Sequence, residues 1–318
     1  MVVALRPVLI AGVPRSGSSW VGRTLGRAPG VAYVHEPDNE KRDPFALKAK
    51  AKLGRFPVLA ADDDAADYER LWQGAFAGGV VSEDARHRSA LSRFTQLTKE
   101  ELEAAASGEA RGPGVRLAAA AALPRTAGPE PARAIVKSVH APLALPWIRR
   151  RFDLDLVVVE RHPLNVLASM FDLDMPDRDR RLDGSLRVIH DYAERWGVTP
   201  PGAAASPLQR AAWQAGLLQS ALAEERGVAR TVSHEALCTD PVASFRSIFE
   251  GLSLAWSDDV EEHLRSSDRP GGGYKTQRVA ADQPERWKRR FGRDEVEVVR
   301  DVLMPFPLPG WPRDGSAP

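Results

Sequence analysis

The chain has very little cysteine and little net charge, and each shortage excludes a class of protein. Only one of its 318 residues, Cys238, is a cysteine, so no disulfide can form within the chain and a reducing compartment is expected. The net charge is +1, from 44 basic and 43 acidic residues. A general nucleic-acid binder or membrane-surface protein would carry a large basic excess, so neither class is predicted.

Long apolar runs are also absent. No run reaches the roughly 18 residues of a membrane span, so no span is predicted. The apolar start of the chain leads straight into a glycine-containing loop and has no small-residue cleavage site, which predicts a buried strand rather than a signal peptide. The sequence therefore predicts a cytoplasmic protein. It contains no internal repeat.

What is present is an alternation of short apolar runs with helical patterns. The runs predict strands at Pro7–Val13, Val31–His35, Ala134–Val139, Leu154–Glu160 and Val228–Ser233. Helical patterns are predicted at Pro142–Arg151, Pro163–Asp172 and Leu208–Arg226. Nearly continuous apolar strands are typical of parallel sheets covered on both faces. The predicted fold is α/β, a three-layer αβα arrangement around a central, mostly parallel sheet of about five strands.

One long segment does not fit this alternation. Residues 40–131 are charged and Ala-rich, are broken by Gly/Pro clusters, and show no convincing strand. We interpret them as a mostly helical insertion between the second and third strands, serving as a cap on the acceptor side of the site. The whole chain, residues 1–318, is then predicted to be a single domain.

The first predicted strand ends in a loop with the spacing of a phosphate-binding P-loop. In VLIAGVPRSGSSW, Gly12 and Gly17 have the GxxxxG spacing, but Ser18 and Ser19 stand where an NTPase has Lys and Ser/Thr. Backbone amides and the helix dipole can hold an anion without the lysine. Arg15 and the serines add donors, so the loop predicts a P-loop-like phosphate site without Mg²⁺-dependent triphosphate chemistry.

The segment PRSGSSW resembles the 5′-phosphosulfate loop of sulfotransferases that use 3′-phosphoadenosine-5′-phosphosulfate (PAPS). A second segment, LVVVERHPLNVLASMF, is similar to the 3′-phosphate motif of the same family, an R-x-P-x-x-x-x-x-S pattern that starts where a strand ends. This resemblance implies a P-loop-NTPase-like fold, PAPS as donor, the desulfated nucleotide PAP as product, and no required metal. It also implies that Pro14, Arg15, Ser16, Gly17, Ser18, Ser19, Trp20, Arg161 and Ser169 bind the donor.

Weaker matches follow further along the chain. The segment ARTVSHEALCTDPVASFRSIFEGLSL is similar to the strand, E-x-L, D-P and helix segment found late in these enzymes. The segment ADQPERWKRRF is similar to their C-terminal basic helix, which contains a tryptophan. The cofactor loop that precedes this helix corresponds to residues 268–278. Through this resemblance, Lys275 and Arg278 are further candidates for the 3′-phosphate site, although the loop departs from the Arg-Lys-Gly pattern of animal cytosolic members.

Sulfuryl transfer needs a cation at the oxygen that is left behind and a base for the proton of the acceptor hydroxyl. Arg15 and Lys137 are the cation candidates, and Lys137 resembles the family's strand-end lysine. Animal cytosolic members place the catalytic His two residues after this lysine, whereas His140 follows Lys137 by three residues. Because a shift of one residue turns a side chain to the other face of a strand, His140 is disfavoured unless the chain bulges or turns before Pro142.

Glu36 is the rival base. It follows the second predicted strand, and other branches of the family place a catalytic Glu at this point. Its pKa would have to rise, which partial burial near the loop would produce. Glu36 is therefore favoured over His140 as the base, with His35 third.

These observations favour a PAPS-dependent sulfotransferase that acts on a hydroxyl of a small molecule, natural product or glycan. One alternative is a P-loop-like small-molecule or nucleotide kinase, which would need Mg²⁺. Another is a nucleotide-binding module without catalysis, in which Glu36, His140 and Lys137 would all be dispensable. The sequence does not identify the acceptor.

Overall fold

The structure is a computed structural model that describes residues 5–40, 42–50, 52–79, 96–98, 101, 133–175, 182, 185–271 and 278–312. Its strands are β1 (Val8–Gly12), β2 (Val31–His35), β3 (Arg133–Ser138), β4 (Asp155–Glu160) and β5 (Arg230–Ser233). They form a five-stranded sheet in the order β2-β3-β1-β4-β5, in which β2 pairs with β3, and β4 with β5, in parallel. The predicted αβα fold with a central, mostly parallel sheet is confirmed.

The helices among the described residues are numbered in chain order. They are α1 (Ser18–Leu25), α2 (Pro44–Ala49), α3 (Ala66–Phe76), α4 (Leu145–Arg151), α5 (Pro163–Phe171), α6 (Pro207–Ala223), α7 (His234–Thr239), α8 (Pro241–Gly251), α9 (Asp258–Ser267) and α10 (Arg293–Leu303). Short α-helical segments at Leu186–Val188 and Glu194–Trp196 flank a π-helix at Ile189–Ala193. Turns of 3₁₀-helix lie at Pro142–Ala144, Glu224–Gly227, Ala280–Asp282 and Arg286–Arg289.

Four of the five predicted strands have different ends in the structure, and local hydrogen bonds explain two of these differences. β5 begins at Arg230 rather than Val228 because the amides of Val228 and Ala229 donate to the Glu225 carbonyl in the turn that ends the preceding helix. β3 ends at Ser138 rather than Val139 because the Ser138 hydroxyl accepts bonds from two following backbone amides and turns the chain.

The chain divides into two compact units, which we describe separately. The first unit is Met1–Ile10 and Leu25–Asp155, and the second is Ala11–Thr24 and Leu156–Pro318. In the first unit, Tyr68 and Trp72 on α3 pack with Trp147 on α4, and all three side chains are fully buried. The Trp147 Nε1 donates to the Asp63 carbonyl at 2.7 Å. The described part of the 40–131 segment thus shares a core with α4.

In the second unit the longest described helix, α6, is buried along most of its length. It begins with a capping box in which Ser206 and Gln209 satisfy each other's backbone amides, and Pro207 occupies its first position. A Cβ on Gly216 would lie 2.8 Å from both Leu303 and Phe306. Glycine is therefore what allows α6 to approach the C-terminal helix α10 and the turn after it.

Candidate active site

The loop between β1 and α1 is tightly wound, and its two glycines leave no room for a side chain. A Cβ on Gly12 would lie 2.4 Å from the Ser16 Oγ. Gly17 has a φ of +92°, and a Cβ there would lie 2.2 Å from the His234 ring. Helix α1 begins directly afterwards at Ser18, and the first amides of a helix have no acceptor within it. The loop thus has the geometry of an anion-binding turn.

Arg15, Ser169 and Arg161, which were predicted to bind the donor, lie together in the second unit. The Arg15 Nε donates to the Ser169 Oγ at 3.0 Å, and the Arg161 Nη1 donates to the Arg15 carbonyl at 2.8 Å. Arg15 itself has a φ of +71°, which is uncommon for a residue other than glycine. The R-x-P-x-x-x-x-x-S segment is therefore fastened directly to the glycine loop.

Arg161 carries unused hydrogen-bonding capacity. Its side chain is buried, and among the described residues its Nε and Nη2 have no hydrogen-bond partner. Burial lowers the pKa of Arg161 to about 10, against the opposing effect of the Glu235 carboxylate, so the guanidinium is still charged at neutral pH. Buried N–H groups without acceptors are costly, and a bound anion with several oxygens would satisfy them.

Asn165 joins the Arg161 loop to the late segments that the sequence matched only weakly. Its Nδ2 donates to the Glu235 Oε1 at 3.0 Å and to the Pro284 carbonyl at 2.8 Å, and its Oδ1 accepts from the Trp287 amide at 3.2 Å. The same Glu235 oxygen accepts from the His162 amide at 3.0 Å. Asn165 is fully buried, so its role is to hold these segments in place.

The remaining predicted loop residues are placed around the same turn. Ser16 and Ser18 are buried, whereas Pro14, Ser19 and Trp20 are partly exposed. The Trp20 ring meets His234 and Phe245 edge-on, with centroids 6.2 and 5.2 Å apart. The sequence analysis did not single out His234, although its position directly after β5, at the carboxyl end of a parallel strand, is a signal for such a residue.

The last predicted loop is described only in part. Lys275 lies outside the described residues. The Arg278 amide donates to the Ser267 carbonyl at 3.1 Å, and its pKa is lowered by burial and by the nearby Arg286 charge. Arg278 thus lies in a cationic part of the second unit.

Glu36 and Lys137 form an ion pair in the first unit. The Lys137 Nζ donates to the Glu36 Oε1 at 2.5 Å, and the Glu36 amide donates to the Lys137 carbonyl at 2.7 Å. The other oxygen, Oε2, accepts from the Asn39 Nδ2 at 2.7 Å. Lys137 is 1% exposed, and Glu36 has a φ of +48°. Pairing across β2 and β3, which places His35 opposite Lys137, sets this contact.

The expected rise in the pKa of Glu36 is wrong for this arrangement. Burial does raise the pKa, but the charge and hydrogen bond of Lys137 and the hydrogen bond from Asn39 outweigh it and lower the value to about 2. The expected pKa of Glu36 took account of burial but not of Lys137 as a direct partner of its carboxylate. Burial lowers the pKa of Lys137, while Glu36 opposes this shift.

The reason given against His140 does not hold in the structure, because β3 ends at Ser138 and strand parity does not extend to residue 140. His140 is instead enclosed: it is 1% exposed, meets the Phe56 ring edge-on, and has its Nδ1 3.3 Å from the Asp38 carbonyl. Burial lowers its pKa well below the ordinary histidine value, and the charge of Lys50 adds to this. His35, the third candidate, has its Nε2 4.0 Å from the Glu36 Oε1.

Asp38 is a buried carboxylate that the sequence analysis also passed over. Its Oδ2 accepts from the Ser138 Oγ at 2.7 Å, and among the described residues its Oδ1 has no partner. Lys50 donates to the Asp38 carbonyl and to Glu40. Burial raises the pKa of Asp38 to about 6, although Lys50 and Ser138 oppose the shift.

The described part of the chain contains neither a cluster of metal-ligating side chains nor a membrane-spanning helix. None of its His, Cys, Asp and Glu side chains form a group of three or more that could hold a metal ion. None of its helices is both long and apolar enough to cross a membrane.

Comparison with known proteins gives similar solved structures and a match to a family model. No curated protein sequence matches the chain. Similar solved structures include the sulfotransferase domain from the curacin biosynthetic pathway, at 12% identity over 96% of this chain and 99% of that chain, with a TM-score of 0.45. The sulfotransferase domain of the Synechococcus PCC 7002 olefin synthase is 15% identical over 93% and 95% of the two chains, with a TM-score of 0.40. Sulfotransferase STF9 from Mycobacterium avium is 12% identical over 96% and 78%, with a TM-score of 0.37.

The sequence itself decides the family. The model of the sulfotransferase family matches residues 7–258, which is most of the chain and includes both phosphate motifs and the Glu36–Lys137 pair. The chain therefore belongs to the sulfotransferase family.

Proposed function

We propose that the protein transfers a sulfuryl group from PAPS to a hydroxyl of a small molecule, natural product or glycan, releasing PAP and a sulfate ester. The observation that carries this proposal is the group of hydrogen-bond donors around the glycine loop of the second unit. There, a P-loop-like turn without the NTPase lysine is fastened to Arg161, whose Nε and Nη2 have no partner among the described residues. A donor with two separate phosphate positions and no triphosphate suits this set of donors.

The residues present fit such a donor. The loop amides and the hydroxyls of Ser16, Ser18 and Ser19 would hold its 5′-phosphosulfate. Arg161 and Ser169 would hold the 3′-phosphate, with Arg278 and Lys275 as further cations. The wound loop supports this assignment, because any side chain at Gly17 would collide with the His234 ring and alter the loop.

PAPS, when bound, supplies an activated sulfuryl group and departs as PAP. Lys137 would neutralise the charge that develops on the phosphate oxygen left behind, with Arg15 as the second cation. Glu36 would accept the proton of the acceptor hydroxyl. The two roles are coupled, because Lys137 holds the pKa of Glu36 near 2. When the lysine turns to another anion, its charge and hydrogen bond no longer lower the pKa of Glu36, so that pKa rises and Glu36 becomes a stronger base.

His140 is the weaker candidate for the base. Its ring is enclosed by Phe56 and by the Asp38 backbone, and burial holds it in the neutral form. The 40–131 segment would supply the acceptor side of the site. In support, its described helices α2 and α3 belong to the same unit as Glu36 and Lys137.

The test is a direct assay. The protein is incubated with PAPS and a library of hydroxyl compounds in the presence of EDTA, and products are sought by mass spectrometry as the mass increment of one sulfuryl group. We expect acceptor-dependent release of PAP that EDTA does not abolish. Consumption of ATP that requires Mg²⁺, with no sulfated product from PAPS, would contradict the proposal.

A further inference from the structure

The Glu36 carboxylate is held at both of its oxygens by two side chains of different character. Lys137, a cation, donates to Oε1, and Asn39, a neutral amide, donates to Oε2. The backbone N–H of Asn39 also donates to the Glu36 backbone carbonyl at 3.1 Å, which closes a tight turn after β2. Asn39 is 9% exposed, so its side chain is well enclosed at this turn.

We propose that Asn39 is the positioning residue of the proton-accepting carboxylate: it keeps hold of Oε2, so that Oε1, the oxygen that Lys137 releases, is the atom that receives the proton. The inference rests on the proposed function, to which it adds Asn39 as the positioning residue and the Glu36 Oε1 as the atom that accepts the proton. It concerns the first unit alone.

The bonds and charges of the step balance. The acceptor oxygen forms a bond to sulfur, and the bond from sulfur to the phosphate oxygen breaks, with its electron pair remaining on that oxygen. The acceptor proton passes to the Glu36 Oε1, which becomes a neutral carboxylic acid. No oxidant or metal enters this balance.

An amide suits this role better than a charged group would. Asn39 donates the same hydrogen bond at every pH, and it adds no charge to a carboxylate that must become protonated. A lysine in its place would hold the pKa of Glu36 low after Lys137 has turned away. A second carboxylate would repel Glu36 instead.

The charged groups that face Glu36 come from its own segment and from β3. They are Lys137, His35 and Asp38; Lys137 and His35 lower the pKa of Glu36, and the Glu36 charge raises the pKa of Asp38. Burial is the largest influence on Glu36, and the Asn39 hydrogen bond is one of those that outweigh it. Removing the Asn39 donor should therefore raise the pKa of Glu36 from about 2 towards its ordinary value of 4.5.

The experiment compares Asn39→Ala and Asn39→Asp with Gln73→Ala, a control that truncates an exposed amide on α3 of the same unit. The first readout needs no turnover: the ¹³C shift of the Glu36 carboxyl is followed from about pH 4 to pH 8, with Glu36→Gln identifying the signal. We expect the parent and Gln73→Ala to stay ionised throughout. Asn39→Ala should begin to titrate at the acidic end, and Asn39→Asp at higher pH, because the two carboxyl groups share a proton.

The second readout is turnover. We expect both Asn39 variants to lose about tenfold to a hundredfold in kcat, with the PAP dissociation constant unchanged. Parental kcat together with a parental Glu36 titration in both variants would overturn the inference. Asn39→Asp has the size of the native residue, so it decides the question if Asn39→Ala fails to fold. If the parent transfers no sulfuryl group while the Glu36 titration shifts as expected, the proposed function is wrong. The positioning of the Glu36 carboxylate by Asn39 is then still supported.

Discussion

The two units of the chain differ in how completely a buried cationic side chain is paired. In the second unit, Arg161 is buried beside the glycine loop with two nitrogens that have no partner among the described residues. In the first unit, Lys137 is also buried, and its Nζ lies 2.5 Å from the Glu36 Oε1. One region presents buried guanidinium nitrogens without acceptors among the described residues, and the other presents a closed ion pair.

This difference indicates different tasks. Unsatisfied buried donors are costly to maintain, and they are useful where an anion binds and supplies the missing acceptors. A buried ion pair neutralises itself, so it attracts no ligand until one partner moves, and removing either partner leaves the other charge uncompensated. The difference fits the proposed function, in which the second unit binds the donor and the first carries the step in which charge is redistributed.

The largest expected effect comes from removing the base. Glu36→Gln keeps the shape of the side chain but cannot accept the proton, so turnover should fall by about 10²- to 10⁴-fold while PAP affinity is retained. Steady-state kinetics and calorimetry on the same preparation measure both quantities. Normal turnover in this variant, together with an inactive His140→Ala that still folds, would show that His140 is the base.

The next largest effect is expected from removing the lysine of the Glu36–Lys137 ion pair. Lys137→Met removes the cation and leaves Glu36 buried without its main partner, so the pKa of Glu36 should rise well above about 2. We expect turnover to fall by about 10²- to 10³-fold. Donors with better leaving groups should restore part of it, whereas they should not rescue Glu36→Gln. Equal rescue of both variants would show that the two residues do not have separate roles.

A smaller effect should appear in the binding region. Arg161→Ala should weaken PAP binding by about 1.5–3 kcal/mol and AMP binding much less, because we propose that Arg161 makes charge-assisted bonds to the 3′-phosphate. Arg246→Ala removes an exposed arginine of the same unit that pairs with Glu261, and it serves as the control. An unchanged preference of Arg161→Ala for PAP over AMP would remove Arg161 from the 3′-phosphate site.

The sequence predicted these two regions unequally. The Gly12–Gly17 loop and the Arg161 segment could be recognised because backbone geometry and a short motif specify them. The fold followed from apolar runs such as Val31–His35, whose bounds the structure reproduces. The pKa of Glu36 could not be predicted in the same way, because the contact with Lys137 joins residues 101 positions apart through the pairing of β2 and β3.

The same limit explains the other missed residues. Asp38 and Asn39 stand in a polar stretch typical of an ordinary loop, and His234 was not singled out although it directly follows a predicted strand. Asp38 contacts the distant Ser138, and His234 lies against the distant Gly17, whereas Asn39 contacts Glu36, which is only three positions before it. Sequence periodicity carries no information about such contacts.

The smallest expected effect concerns stability in the first unit. The folded state raises the pKa of Asp38 from 3.8 to about 6, so it holds the proton more tightly than the unfolded chain does. Ionised Asp38 therefore costs stability, and this cost appears as the pH rises from about 3.8 to about 6. Asp38→Asn should remove a cost of roughly 1–3 kcal/mol at neutral pH and little of it near pH 4.

Thermal unfolding of Asp38→Asn and the parent at about pH 4 and about pH 7.5 measures this difference. We expect the Tm of the variant, relative to the parent, to be higher at the neutral pH than at the acidic pH. A relative Tm that is the same at both values would mean that Asp38 is not ionised at a cost in the folded protein.

The central claim is that the lysine-free loop and Arg161 select a nucleotide with two separate phosphate positions over a metal-bound triphosphate. Calorimetric titration of the unmodified protein with PAP in EDTA, and with ATP in excess Mg²⁺, tests it most directly. The account predicts tight binding of PAP without metal and weak or undetectable binding of ATP·Mg²⁺. A preference for ATP·Mg²⁺ over PAP would contradict it.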